Sequence, residues 1–411
     1  MKFWKSLLLK LGLLVSVFGP ATITAIADND AAGVATYSLA GAKFGYSILF
    51  VLFLVTLLLA ITQEMGVRIA IVTGKGLADL IRERYGVKMA VLVFSVLVIA
   101  NMGTIIANMS ALKASAQMFG LSPFIVITVM IFLAFIFVSK GNYNINQNIF
   151  LIGAFMYFAY VVSAIKAQPN WGEALRNLVV PTNMKFSTDY LLAAIAVLGT
   201  TITPWGQFFI QSFMNDKKVS IERIKYAQFE TYFGALVTDF FSFFMIVATA
   251  ATLFAHKIPL ISGEQAALAI KPFAGDLASL LFGLGLMNAG FMGIVIISLT
   301  TAYAFAEFFG FEGSLDVPFQ KGKLFYGLFL FQLIVAALFV SIPGVSLFKI
   351  VFYTQSLNGI LLPIIFYFLL RITNDKNLMG QYVNNRFYNV FAVVSSIVII
   401  LASTLTIITS L

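Results

Sequence analysis

The stretch that decides the fold is Ala25-Ile26-Ala27-Asp28-Asn29-Asp30-Ala31-Ala32-Gly33-Val34-Ala35. It follows the apolar run Leu11-Gly12-Leu13-Leu14-Val15-Ser16-Val17-Phe18, so two carboxylates stand inside a segment that otherwise reads as a membrane helix. A carboxylate at the bilayer centre costs at least ~2.5–3.5 kcal/mol on insertion scales. Two of them within three residues, beside Asn29 and Gly33, need a partner, and the natural partner is a cation. The plainer alternative is that the acids cap a broken helix or pair with a distant Lys or Arg.

Working outward, the same hydrophobic texture covers the whole chain. Of 411 residues, 60% are apolar and 10% are charged, with a mean hydropathy of +0.97, against roughly 25% charged residues in soluble domains. Runs of about 20 apolar residues recur along its length, which defines an all-α polytopic membrane protein. Eleven spans are expected near 11–41, 46–71, 88–118, 122–139, 146–166, 188–213, 228–255, 276–306, 324–342, 346–371 and 388–410. Of the 26 Lys and Arg residues, 18 then fall on the side of the N-terminus and 7 on the other, with Lys113 inside span three close enough to an end to snorkel. By the positive-inside rule the N-terminus is cytoplasmic and the C-terminus outside, as expected in a bacterial plasma membrane. The net charge of +9 reflects these loops rather than a nucleic-acid surface. Cysteine is absent, which excludes disulfides, thiolate metal sites and cysteine nucleophiles. The polar outer segment from Gln168 to Asp189 is expected to form an ordered cover.

A second interruption matches the first. Span six reads Thr200-Thr201-Ile202-Thr203-Pro204-Trp205-Gly206-Gln207 midway along its length. Pro204 has no N–H and disturbs the preceding turn, and Gly206 adds slack. Spans one and six open two five-span halves, so an inverted five-plus-five repeat is expected, with a site where the two breaks meet. The expected organisation is a single transporter domain over 1–411, with repeats at 1–167 and 187–372 and an extra helix at 387–411.

The residues at the breaks offer only oxygen and amide groups: Asp28, Asn29, Asp30, Thr203 and Gln207, with Gln355 on span ten. Carbonyls near Ala27 and Thr200, at the negative ends of half-helices, complete the expected set. Such ligands favour Mg²⁺, Ca²⁺ and Mn²⁺ over softer ions. Ala31, Ala32 and Gly33 leave room for water, which suits Mg²⁺ because it dehydrates reluctantly. Bland roles compete at each position. Thr203 and Gln207 could satisfy backbone freed by Pro204, Gln355 could bridge helices, and Asn29 reads as a cap. Asp239 in span seven is expected to make a structural hydrogen bond, and Glu64, Glu230 and Glu307 to pair with basic loops.

These residues carry a resemblance. Gly19-Pro20-Ala21 through Asp30, with Ala35-Thr36, Ala40-Gly41-Ala42 and Gly45-Tyr46-Ser47, resembles the first span of the Nramp family of divalent-metal transporters. Thr73-Gly74-Lys75-Gly76-Leu77, Thr354-Gln355-Ser356 with Leu362-Pro363, and Asn374-Asp375-Lys376-Asn377-Leu378-Met379-Gly380 with Asn384 resemble its later motifs. The resemblance implies a LeuT-type fold with broken helices 1 and 6 and alternating-access cation transport. Departures are specific. The family's D-P-G-N reads Asp30-Ala31-Ala32-Gly33, its M-P-H reads Thr203-Pro204-Trp205, and its third-span proton-path acids fall on Thr104 and Ala107. The pattern is similar to the branch called Nramp-related magnesium transporters. It implies a monomeric uniporter in the lipid bilayer for Mg²⁺, also Mn²⁺, with no resident cofactor and no proton coupling. The alternatives are a proton-coupled Mn²⁺/Fe²⁺ carrier, an amino-acid carrier of similar fold, and an intramembrane enzyme. The last lacks a nucleophile or a His cluster, since His256 is the only histidine.

Overall fold

The computed structural model describes residues 19–140, 143–182, 184, 187–260 and 263–410. The basic flank Lys2, Lys5 and Lys10, the first stretch of span one, and Lys185 lie outside the described residues. Every regular element described is helical. In chain order these are α1 (Pro20–Ala27), α2 (Ala31–Phe44), α3 (Leu49–Thr73), α4 (Leu77–Met118), α5 (Pro123–Lys140), α6 (Tyr143–Ala154), α7 (Phe158–Lys166) and α8 (Trp171–Val179). Then follow α9 (Thr188–Thr201), α10 (Pro204–Lys217), α11 (Ile224–Thr249), α12 (Gly263–Phe309), α13 (Lys323–Val340), α14 (Leu347–Thr373), α15 (Lys376–Met379) and α16 (Arg386–Ser410).

Ten continuous stretches among the described residues are long and apolar enough to cross a membrane. The first, Ala31–Thr73, has 43 residues, about twice what one crossing needs at 1.5 Å per residue. It is interrupted at Gly45, whose φ of 60° and following 3₁₀ turn end α2 before α3 begins. Counting it as two spans recovers the eleven expected crossings. The lipid face is apolar, with Phe124 76%, Phe155 71% and Leu338 68% exposed, which no soluble surface of this size sustains. Several bounds differ from expectation. Span three begins at Leu77 and bends at Gly86 (φ 80°). Span five is split by a 3₁₀ turn at Phe155–Tyr157. Span seven ends in a π-turn over Ala250–Phe254. The outer segment contains α8, started by Asn170, whose side chain accepts from the Glu173 N–H.

Helix association in lipid relies on close packing by small residues, because burial against lipid tails gains little. The tightest case joins α9 to α14. A Cβ on Gly199 would fall on the Gln355 carbonyl and lie 3.0 Å from the Gly359 Cα, and one on Gly359 would lie 2.8 Å from the Ile195 carbonyl. These two helices therefore touch backbone to backbone. α11 packs against α1, α2 and α3, and α12 against α4, so the two broken spans sit inside a cage of longer helices.

The acids near helix ends correct the expectation of pairing with basic loops. Glu230, on α11, takes the Gly19 and Thr22 N–H groups on one oxygen, Oε1, at 2.7 and 2.9 Å, and so caps α1. Glu307 accepts from the Ser212 hydroxyl at 2.5 Å. Glu64 does meet a cation, but on its own helix: Arg68 holds both its oxygens at 2.9 Å and reaches on to Asn384 at 2.6 Å. Lys113 donates to the Val340 carbonyl at 2.9 Å, closing the end of α13.

Candidate cation site

The two interruptions are built by their own side chains. α1 ends at Ala27 and α2 restarts at Ala31, with Asp30 as the N-cap whose Oδ1 accepts from the Gly33 N–H at 2.7 Å. Gly33 is required here, because a Cβ would run into the Asp28 carbonyl. In span six, α10 starts with Pro204 at its first position, where no N–H is needed. Thr203 caps it by accepting from the Gly206 N–H at 3.0 Å, and the same hydroxyl donates to Asp28 Oδ1 at 3.2 Å. The breaks therefore meet directly, Asp28 against Thr203. Thr200 closes on the same place, with its hydroxyl 3.3 Å from where a Gly33 Cβ would stand.

All seven sequence-derived residues are buried at or beside this junction. Asp28, Asp30 and Thr203 are each 2% exposed, and Gln207 and Gln355 are fully buried. The site is thus buried from water among the described residues. The Ala27 carbonyl accepts from the Asp30 N–H at 3.0 Å, which tightens the end of α1 into a 3₁₀ turn. Only its second lone pair remains for an ion. The Gln207 amide has neither its oxygen nor its nitrogen hydrogen-bonded among the described residues, and Gln355 Nε2 is likewise unpartnered. A buried amide left open costs roughly 1–3 kcal/mol, so these groups call for a ligand or its water.

Asn29 is neither cap nor ligand. Its amide nitrogen donates to the Thr238 carbonyl and hydroxyl at 2.8 and 2.7 Å, and its oxygen accepts from Ser242 at 2.9 Å. That pins the first break to α11. Asp239 also departs from expectation, since neither carboxylate oxygen has a hydrogen bond among the described residues.

The structure adds two residues that sequence reasoning missed. Asn108 on α4 donates to Asp30 Oδ2 at 2.7 Å and accepts from the Ala31 N–H at 2.9 Å, so it bridges the break. A relay of amides continues from it: Asn108 donates to the Thr104 carbonyl, and Asn358 donates to the Thr104 hydroxyl and to Gln355 Oε1, each at 2.9 Å. The polar series Asn101, Thr104, Asn108 at helical spacing on an apolar span was the available signal. Gln63 on α3 donates to Asp28 Oδ2 at 3.4 Å and keeps its oxygen unpartnered. None of the ion pairs among the described residues involves Asp28, Asp30 or Asp239.

Two discontinuous spans that meet on buried carboxylates define a secondary transporter architecture. The chain belongs to the Nramp family: the family model "Natural resistance-associated macrophage protein-like" matches residues 21–409. It is 27% identical over 393 residues to "Divalent metal cation transporter MntH" of Erwinia tasmaniensis, covering 94% of this chain and 92% of that protein. It is 22% identical over 400 residues to the protein of the same name from Latilactobacillus sakei, covering 93% and 85%. Among solved structures, a manganese transporter of Eremococcus coleocola superposes with a TM-score of 0.81 at 18% identity, over 98% of this chain and 87% of that one. A Na⁺-coupled sialic acid symporter superposes with 0.54 at 14% identity, over 96% and 95%. The all-α, LeuT-type fold with broken helices 1 and 6 is as the sequence implied.

Proposed function

We propose that this chain carries divalent cations across the membrane by alternating access, with Mg²⁺ as the principal substrate and Mn²⁺ also accepted, and without obligatory proton coupling. The observation that carries the choice of ion is the donor set. Asp28, Asp30, Thr203, the open amide oxygen of Gln207 and the Gln355 amide oxygen, which keeps one lone pair beside its bond from Asn358, supply hard ligands, and Thr203 stands where the family motif has a thioether. The carbonyls of Ala27 and Thr200 complement them from the helix ends. The open Gln207 amide oxygen suits a water molecule kept by a partly hydrated Mg²⁺. The relatives named for manganese and divalent-metal transport support the broader reading.

The absence of coupling is read from the proton route. Thr104 and Ala107 occupy the third-span positions, and the group that touches Asp30 from that span is the neutral amide of Asn108. The membrane potential suffices as a driving force. Two charges moving inward down 100 mV gain roughly 4.6 kcal/mol, or about 10³-fold accumulation.

The test is flux into proteoliposomes with a luminal pH dye. Mg²⁺ and Mn²⁺ should enter under a negative-inside potential without acidifying the lumen, and Asp30→Ala should abolish entry in a protein that still elutes as a single species. Metal-dependent acidification that disappears in Asp30→Ala would restore a proton-coupled carrier. Undiminished entry in Asp30→Ala would remove the site.

A further inference from the structure

A cavity that shares no residue with the two breaks lies where the first turns of α4 meet the end of α14. Its volume is about 530 Å³, and its walls include Arg84, Tyr85, Tyr367, Arg371, Asn374 and Asp375. The Tyr85 and Phe368 rings meet edge-on at 5.1 Å and hold the two helices together there. Arg84 pairs with Asp375 Oδ2 at 3.2 Å, yet its side chain stays 41% exposed, and one such bond leaves most N–H donors of a guanidinium open. Arg371 is exposed, and none of the ion pairs among the described residues includes it. Asp375 has a second task, because its other oxygen accepts from the Asn377 N–H at 2.8 Å and caps α15. The lining thus sets two guanidiniums against one carboxylate.

The cavity sits where the lipid face begins. The membrane-crossing stretch of α14 runs from Ile350 to Thr373, so Arg371 stands in its last turn. Ile364, Tyr367 and Arg371 follow one another at helical spacing on one face of that helix, and Ile364 and Tyr367 are exposed. On the other wall α4 bends at Gly86, and Val87, Val91 and Leu92 immediately beyond the bend are exposed too. An apolar strip therefore leads from the cavity along each helix, with the arginines at its polar end. Tyrosines at such a level belong to the aromatic belt of the membrane interface. A soluble anion needs the arginines but not the strips; a lipid needs both.

We infer that this cavity holds the phosphodiester headgroup of an anionic phospholipid. Arg371 and the free side of Arg84 take the phosphate oxygens, which a planar guanidinium can bind in parallel pairs. The acyl chains lie along Val87 and Val91 of α4 and Ile364 of α14. Basic pockets between membrane helices are suited to such headgroups. Asp375 works against the anion and draws Arg84 away from it, so it limits the affinity. A lipid bound here clamps the start of α4 to the end of α14.

Native mass spectrometry of the purified full chain in a neutral detergent tests the inference. The protein is titrated with phosphatidylglycerol or with phosphatidylcholine of the same acyl chains, and the dissociation constant of the first bound copy is read. Phosphatidylglycerol should bind at least tenfold more tightly. Arg371→Gln should weaken that copy by about fivefold, as one interfacial charge does, and Arg84→Gln with Arg371→Gln by more. Asp375→Asn keeps a capping residue for α15 but releases Arg84, and should tighten binding by about fivefold. Lys323→Gln, at the start of α13 on the same membrane face, should change nothing. Equal binding of the two lipids by the wild type overturns the proposal and needs no variant. So does a first copy indifferent to both arginines, weaker binding in Asp375→Asn, or a loss in Lys323→Gln as large as in Arg371→Gln. Inorganic phosphate in large excess should not displace the lipid; displacement that depends on the same arginines would assign the cavity to free phosphate and overturn the lipid.

Discussion

Glu230 holds the start of α1 in the buried position it has in this structure. One of its oxygens accepts the Gly19 and Thr22 N–H groups at 2.7 and 2.9 Å, and the residue is fully buried. Hydrogen bonds to a charged group contribute about 1.5–3 kcal/mol each, so the pair holds the docked position of α1 by about 3–6 kcal/mol. The alternating access proposed above requires the buried arrangement to open, and a motion that carried α1 off α11 would give its N–H groups to water and remove most of that difference. Taking the lower figure, Glu230→Ala should tilt the balance toward the open state by about 3 kcal/mol, roughly 100-fold in population. The chain has no cysteine, so a single one at Ala21 is a clean reporter. Ala21 is fully buried among Val67, Ile210, Met214 and Ala227. Its alkylation should accelerate by about tenfold or more in Glu230→Ala and less in Glu230→Gln, which keeps an acceptor oxygen. Equal rates in all three backgrounds would refute the idea that this cap restrains α1.

Other outcomes follow from the same geometry. Thr203→Met should bring in a soft ligand beside Asp28 and shift the ratio of Cd²⁺ to Mg²⁺ affinity upward by about tenfold or more, read by titration calorimetry. Arg68→Ala should leave Glu64 charged and buried, at a cost of about 3–5 kcal/mol, and lower the melting temperature in detergent well below that of the wild type. Gly199→Val should force α9 off α14 and abolish transport while the isolated protein still inserts, whereas Leu338→Val on the lipid face should leave transport unchanged.

The parts of this structure legible in the sequence were those with a local physical cause. Asp28 and Asp30 in an apolar run, and Pro204 after Thr203, each disturb a helix by themselves, so the breaks and their meeting place could be read from residue type and spacing. Partners supplied from elsewhere could not. Glu230 caps a helix 208 residues away in sequence, and nothing about a glutamate near a span end distinguishes a cap from a loop ion pair. Asn29 looked like a local cap because its amide could have bonded nearby; only the approach of α11 gives it Thr238 and Ser242. The carbonyl near Ala27 was expected from the helix end alone; that the chain tightens at the break and uses one of its lone pairs on the Asp30 N–H has no signal in the sequence. Asn108 was readable in principle, since a buried Asn on a span needs a partner, and the carboxylate opposite it was already in view.

The backbone contact between Gly199 and Gly359 has a consequence for how an ion is sensed. With no side chain between them, the half-helix bearing Thr200 and the helix bearing Gln355 are packed backbone to backbone as one plate. The first break is fastened instead to α11 through Asn29. The proposed ligands are thus mounted on two plates, and the ion spans the seam between them. Under the proposed function its coordination shell would act as a caliper, complete at one separation of the plates, so that ions of other radii would leave them slightly ajar.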